Sequence, residues 1–162
     1  MKEKEINLKV RVFADVHELA EPDQELLKEA RKITDIAYAP YSRFQVGAAA
    51  RLANGSIVKG TNQENASYPV GICAERVLLA NAAMQFPGVA IECMAISYHN
   101  LNGTSNHPIS PCGICRQTLA EYEDRTRHAI RLLLTGQDGE VYVVEKAAQL
   151  LPLTFTADDL LK

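Results

Sequence analysis

Two short cysteine segments constrain this chain more than anything else in it. Gly71-Ile72-Cys73-Ala74-Glu75-Arg76 and Ser110-Pro111-Cys112-Gly113-Ile114-Cys115-Arg116 each open a stretch that reads as a helix. The spacing of Cys112 and Cys115 puts both sulfurs on one helix face, a turn apart, which suits two adjacent corners of a zinc tetrahedron. All three cysteines fall at helix starts, where unpaired N–H groups and the helix dipole favour a thiolate. If the two helix starts face each other, Cys73, Cys112 and Cys115 converge on one Zn²⁺. A lone C-x-x-C is a weak signal; Cys-Ala-Glu paired with Pro-Cys-x-x-Cys is a strong one.

Three ligands leave a fourth position for water, as catalytic zinc requires. Zinc lowers the pKa of that water toward neutrality, so hydroxide becomes available. Glu75 stands too near Cys73 in the chain to be an easy fourth ligand and is expected to move protons beside the ion. Three thiolates over-neutralise Zn²⁺, leaving a charge of about -1 before hydroxide binds. The helix dipoles offset part of it, and Arg76 is expected to offset more, with Arg116 as a second candidate, by hydrogen-bonding the sulfurs. A surface or interface salt bridge is the competing role for Arg76. Cys93 sits mid-strand and reads as a small buried hydrophobe. His17, His99, His107 and His128 show no ligand spacing.

The chain has 162 residues, 47% of them hydrophobic and 23% charged, which suits one soluble domain with a sizeable core. A net charge of -3 gives no long-range attraction to nucleic acid or anionic membrane. No apolar run approaches the roughly 20 residues that span a bilayer, and no apolar signal core follows the charged Met1–Glu5. A cytoplasmic location is therefore expected, where clustered cysteines bind metal or catalyse rather than pair.

Residues 1–22 read as an N-terminal extension, either a short strand carried by Ile6, Leu8, Val10 and Val12 or a mobile arm. Residues 23–162 read as a single catalytic domain. Helical periodicity covers 23–38 and ends at Pro40. Residues 45–53 form a strand of small residues, Asn54-Gly55 a two-residue hairpin turn, and 56–61 the returning strand. The small side chains Gly47 to Ala50 imply close helix-on-sheet packing, or room for a ligand. After a polar loop come a helix over 73–85, apolar on most faces and so expected to be covered on several sides, and a strand over 91–99. An exposed loop over 100–111 leads to a helix over 112–122 and strands over 129–135 and 140–144. Two short helices, 146–150 and 156–161, close the chain. Strands alternating with helices imply an α/β three-layer sandwich around a mixed sheet of about five strands, with at least one right-handed crossover.

The chain resembles the small, zinc-dependent cytidine deaminases of pyrimidine salvage, the homotetrameric kind. The resemblance runs from about Asp23 to the C-terminus. It rests on Ala39-Pro40-Tyr41-Ser42-x-Phe44-x-Val46-Gly47-Ala48, Gly60-x-Asn62-x-Glu64-Asn65-Ala66-Ser67-Tyr68, Cys73-Ala74-Glu75-Arg76, Pro111-Cys112-x-x-Cys115-Arg116-Gln117 and the region of Phe155. It implies a cytidine deaminase-like fold, with Cys73, Cys112 and Cys115 as zinc ligands and Glu75 as the catalytic acid and base, the division of labour found in zinc deaminases. It further implies that Asn62 and Glu64 bind the ribose 3′-hydroxyl and that Phe44 packs on the pyrimidine ring. Ala66 and Tyr68 would reach a neighbouring subunit's site, and Phe155 would close the neighbour's pocket. From the residues alone, Asn62 and Glu64 read as loop polars and Phe44 as core packing.

The sequence departs from the family in its longer start, in Val77 where threonine is frequent, and in the long loop from Asn100 to Ser110. The implied reaction is deamination of cytidine and 2′-deoxycytidine to uridine and 2′-deoxyuridine by zinc-bound hydroxide, with Glu75 as proton shuttle. The rivals are a deaminase of a modified cytosine nucleoside of the blasticidin type, a polynucleotide deaminase, which would need a basic groove, and a structural zinc module without catalysis.

Overall fold

Six strands build one mixed sheet: β1 (Arg11–Phe13), β2 (Phe44–Leu52), β3 (Ile57–Thr61), β4 (Ile91–Asn100), β5 (Arg131–Leu134) and β6 (Val141–Val144), in the order β1-β6-β5-β4-β2-β3. The coordinates are a computed structural model that describes residues 1–160. β4 and β5 run parallel and every other neighbouring pair is antiparallel. One helix, α1 (Glu21–Ile33), covers one face. Two more, α2 (Ala74–Gln85) and α3 (Gly113–Thr126), lie on the other side with their own core. This is the expected three-layer α/β arrangement, with six strands rather than five.

The sixth strand is β1. Its three residues pair with β6, Arg11 opposite Val143 and Phe13 opposite Val141. Alternation over Ile6–Val12 pointed to a strand, but pairing begins only at Arg11; Ile6 and Leu8 are exposed. A polar–apolar alternation does not form a strand without an edge to pair with.

The period-2 pattern of the inner strands divides the core in two. Ala48, Ala50, Met94, Ile96, Leu132 and Leu134 face α2 and α3, whereas Ala49, Cys93, Ala95, Leu133 and Val143 pack with Leu26, Leu27 and Ala30 of α1. Small residues allow the close approach. A Cβ on Gly47 would meet the Ala30 carbonyl of α1, and one on Gly60 the Ala74 carbonyl of α2. Asp23, in the first turn of α1 and 5% exposed, binds Arg131 and lies 3.7 Å from Arg51, which ties α1 to the sheet.

Several boundaries differ from the sequence reading. The β2–β3 turn is longer than a two-residue loop. Leu52 N donates to Ser56 O across Ala53, Asn54 and Gly55, with Gly55 in the left-handed region at φ +82°, so the Asn-Gly pair marks the turn but not its type. Helix α2 is less covered than its apolar composition suggested, since Ala80 and Met84 are exposed; one sheet face and one neighbouring helix cannot cover every side. α3 runs on to Thr126, and its Glu123 bends back to accept from the amides of Ile130, Ala147 and Ala148. Ala147–Leu150 is a 3₁₀ turn and α4 spans Ala157–Leu160; residue 161 of the expected last helix lies outside the described residues. Among the described residues, no helix is long and apolar enough to cross a membrane.

Candidate active site

Cys73 and Cys112 are the N-cap residues of α2 and α3, and Cys115 lies in the first turn of α3. The sulfurs of Cys73 and Cys112 are 3.7 Å apart, those of Cys112 and Cys115 3.6 Å, and all three lie within 4.8 Å of one another. Sulfurs at adjacent corners of a zinc tetrahedron, with Zn–S of about 2.3 Å, stand about 3.8 Å apart. The donor set and its spacing fit Zn²⁺. Cys112 is exposed, Cys73 half-buried and Cys115 buried, so the cluster is reached from one side. The local fold follows from the sequence: proline at 111 precedes the α3 cap, and neither cap side chain makes a capping hydrogen bond, so the sulfurs stand at the positive ends of the two helices.

The thiols influence one another. Hydrogen bonding from Cys115, then from Cys112, lowers the Cys73 thiol to about 6 against the opposing effect of burial, helped by the charge of Arg76. Cys115, the donor in that pair, is pushed up. Glu75 is 5% exposed. Its burial raises its carboxyl above the usual range; the neighbouring Cys73 charge adds to this, while its own backbone N–H, Cys115 and Arg76 pull the other way. Cys93 is remote from the cluster in the α1 core, and burial pushes its thiol up to about 12.

Arg76 acts on Cys73 and Glu75 through its charge. It lies in the groove between α2 and α3 with Thr118, Glu121 and Arg125. Arg116 does not take the second position that its sequence neighbours suggested. Its Nε donates to Pro111 O at 2.8 Å and its Nη1 to Leu150 O at 3.0 Å, so it staples the entry to α3 onto the C-terminal segment. Carbonyl oxygens accept these bonds better than sulfur would.

A cleft of about 470 Å³ opens onto Cys73 and is lined by Tyr41, Ser42, Asn62, Gln63, Glu64, Asn65, Tyr68, Gly71 and Ile72, within the size range of small-molecule sites. Asn62, Glu64 and Tyr68 are thus brought together with Cys73. Asn62 also clamps β2: its Oδ1 accepts from Val46 N at 2.8 Å and its Nδ2 donates to Phe44 O at 2.9 Å. Glu64 accepts from the Tyr41 and Ser42 amides and the Ser42 hydroxyl. Partial burial raises its carboxyl, but these three donors outweigh that and leave it lowered.

Phe44, Ala66 and Phe155 are not among the lining residues. Phe44 is half-buried against Tyr98, Ala66 is exposed, and Phe155 is 57% exposed, its carbonyl held by Gln117 Nε2. Sequence reasoning assigned no role to Tyr41 and Ser42, whose amides face Glu64. The signal was present in Pro40-Tyr41-Ser42-Arg43, a turn in which Arg43 takes φ +56° so that the chain can reverse into β2.

An α/β sandwich that brings three cysteine sulfurs and a buried glutamate to two adjacent helix starts, beside a nucleoside-sized cleft, defines a zinc-dependent hydrolytic enzyme. Residues 20–130 match the family model of the cytidine and deoxycytidylate deaminase zinc-binding region. A cytidine deaminase of Halalkalibacterium halodurans is 39% identical over 85% of this chain and 96% of its own length. The crystal structure of cytidine deaminase from Burkholderia pseudomallei superposes with a TM-score of 0.71 at 35% identity, covering 85% of this chain and 100% of the other. That from Mycobacterium tuberculosis superposes with a TM-score of 0.61 at 30% identity, over 81% and 94%. The chain belongs to the zinc-dependent cytidine deaminase family.

Proposed function

We propose that the protein deaminates cytidine and 2′-deoxycytidine hydrolytically, to uridine and 2′-deoxyuridine plus ammonia. The observation that carries this is the placing of Glu75 beside three sulfurs at zinc spacing, next to a cleft of nucleoside size. Cys73, Cys112 and Cys115 hold the ion, which supplies Lewis acidity and an activated water at neutral pH. Glu75 accepts a proton from the water that adds to C4 of the cytosine ring and gives it to N3. It then carries the next proton to the departing ammonia. The two helix starts and the Arg76 charge offset the surplus negative charge of three thiolates.

The cleft holds the sugar. Asn62 uses one Nδ2 hydrogen and one Oδ1 lone pair on β2 and keeps one of each for the ribose 3′-hydroxyl. Glu64, held by the loop at Tyr41 and Ser42, stays ionised to accept from the same hydroxyl. Phe44 packs against the base.

Exposed apolar side chains gather at the cleft: Tyr68 (74% exposed) and Ile72 line it, Tyr38 bridges to the lining residue Gln63, and Val70 stands in the turn between Tyr68 and Ile72; Ile114 in the first turn of α3 and Phe155 are exposed as well. Such a surface is an interaction site. A homotetramer in which Ala66, Tyr68 and Phe155 enter neighbouring pockets accounts for it. Thiolate ligands suit a reducing compartment, and we place the protein in the cytoplasm. We read residues 23–162 as the catalytic domain and 1–22 as an extension that adds β1 to the sheet, supplies the first two residues of α1 and places Leu19 in the core beside that helix. Incubation with cytidine, 2′-deoxycytidine, blasticidin-type nucleosides and cytosine-containing oligonucleotides, read by ammonia release, tests the assignment. Release from the two ordinary nucleosides is expected; release only from another member of the panel would contradict it.

A further inference from the structure

Phe44 opens β2, and its ring lies parallel to that of Tyr98 in β4, with centroids 4.7 Å apart and 14° between the planes. Tyr98 is 1% exposed. Its hydroxyl shares a 3.1 Å hydrogen bond with Nδ1 of His107, and the two rings meet edge-on at 5.6 Å. Three rings thus run in a line from the sheet to an exposed residue of the loop before Cys112.

Strand alternation puts Phe44 and Tyr98 on the same face as Val46, Ala48, Met94 and Ile96, the face under α2 and α3. Along that face, α2 passes from Ala74 over Gly60 to Asn81, whose Nδ2 donates to Lys59 O. Gly60 pairs with Ala48, so Cys73 lies beyond it toward Val46 and Phe44. The ring stack therefore stands at the end of the sheet where the cysteine-bearing helices begin. The loop that brings His107 there is a built one. Ser105 Oγ accepts from Asn100 N at 2.8 Å, Ser105 O from Gln137 N at 2.6 Å, and Gln137 Nε2 donates to Tyr98 O at 3.0 Å. Asn102 Nδ2 donates to Ser42 O, in the turn that leads to Phe44.

We propose that Tyr98 and His107 are positioning residues which fix the Phe44 ring as the platform for the pyrimidine base, so that the loop before Cys112 sets affinity for the base. This rests on the cytidine deaminase reading and deepens it. A half-buried phenylalanine at a strand end turns freely unless one face is packed; stacking on a buried ring fixes it and leaves the second face for the base. The Tyr98 hydroxyl, buried with its ring, needs a partner, and His107 supplies it. Loss of that bond loosens Tyr98 and, through it, Phe44.

The test is steady-state kinetics with cytidine on the zinc-loaded protein. Tyr98→Phe removes one oxygen, and His107→Ala trims an exposed side chain, so both variants fold. Each raises KM by about threefold to tenfold, the scale of one hydrogen bond, with kcat and zinc content held. Because both act through one bond, combining them gives no further rise. In a Phe44→Ala background both become silent. KM unchanged in both variants, a fall in kcat and zinc at constant KM, or effects that persist without the Phe44 ring would each overturn the positioning role. An inactive wild-type protein would instead overturn the cytidine assignment on which it rests.

Discussion

Cys73 and Cys112 stand in different helices, each as the cap of its helix, and their sulfurs lie 3.7 Å apart. Two helix starts are brought together by the sheet beneath them, and the cluster depends on both. The core that places them is made of apolar contacts and does not contain Cys112, which is exposed. Cys112→Ser is expected to reduce bound zinc to well under one ion per chain while leaving the urea unfolding midpoint of the metal-free protein unchanged. Elemental analysis and denaturation of the same preparations check this. Cys93→Ser, a change in the other core, is expected to leave zinc in place.

Glu75 offers a separation of binding from chemistry. Glu75→Gln keeps the shape and burial of the side chain but cannot move a proton. Bound zinc is expected to be retained while ammonia release falls by at least about a hundredfold, the usual scale of a lost general acid and base. Near-normal turnover would sink the assigned role.

Arg76→Gln removes a charge that bears on both Cys73 and Glu75. Its expected consequence is weaker zinc retention in a chelator competition, lower turnover, or both, with an unchanged fold by circular dichroism. If retention and turnover were both unaltered, Arg76 would have no part in balancing the cluster.

Asn62 joins the sugar side of the cleft to the start of β2. Asn62→Ala leaves Val46 N and Phe44 O without their partner, at a cost of about 1–3 kcal/mol in unfolding free energy, and raises the KM for cytidine. Urea denaturation and kinetics on one sample should show both effects together. A change in KM with no loss of stability would mean that the clamp on β2 contributes nothing.

Cys93 predicts a pH effect. Its thiol is pushed up to about 12 by burial, against an ordinary value of 9.0, so the folded state holds the proton that the unfolded state releases. That contribution is complete below about pH 9 and is lost as pH rises toward 12, by up to about 1.4 kcal/mol per pH unit. Cys93→Val is expected to flatten the loss of stability across this window; parallel curves for the two proteins would contradict it.

How much of this was legible in the sequence depends on how local each signal is. The spacing of Cys112 and Cys115, and the placing of Cys73 before an apolar run, report helix starts directly, and a three-layer sandwich follows from the alternation of strands and helices. The sixth strand was not countable, because β1 owes its three paired residues to the β6 edge. Asn62 read as a loop polar because nothing in its neighbourhood shows that its amide spans Val46 and Phe44. Tyr98 and His107 were equally hidden. Their meeting requires the strand parity of β4 and a loop pinned by Ser105 and Gln137, both products of the tertiary fold. Arg116 misled because proximity in sequence to Cys115 says nothing about which way the side chain leaves the helix.

The most direct measurement is the ultraviolet absorbance of cytidine incubated with the purified protein, before and after zinc is stripped with a chelator and again after zinc is restored. The absorbance should fall as uridine forms, hold steady with the stripped protein, and fall again on reloading. No fall with zinc-loaded protein, or a fall undiminished by stripping, would contradict the account.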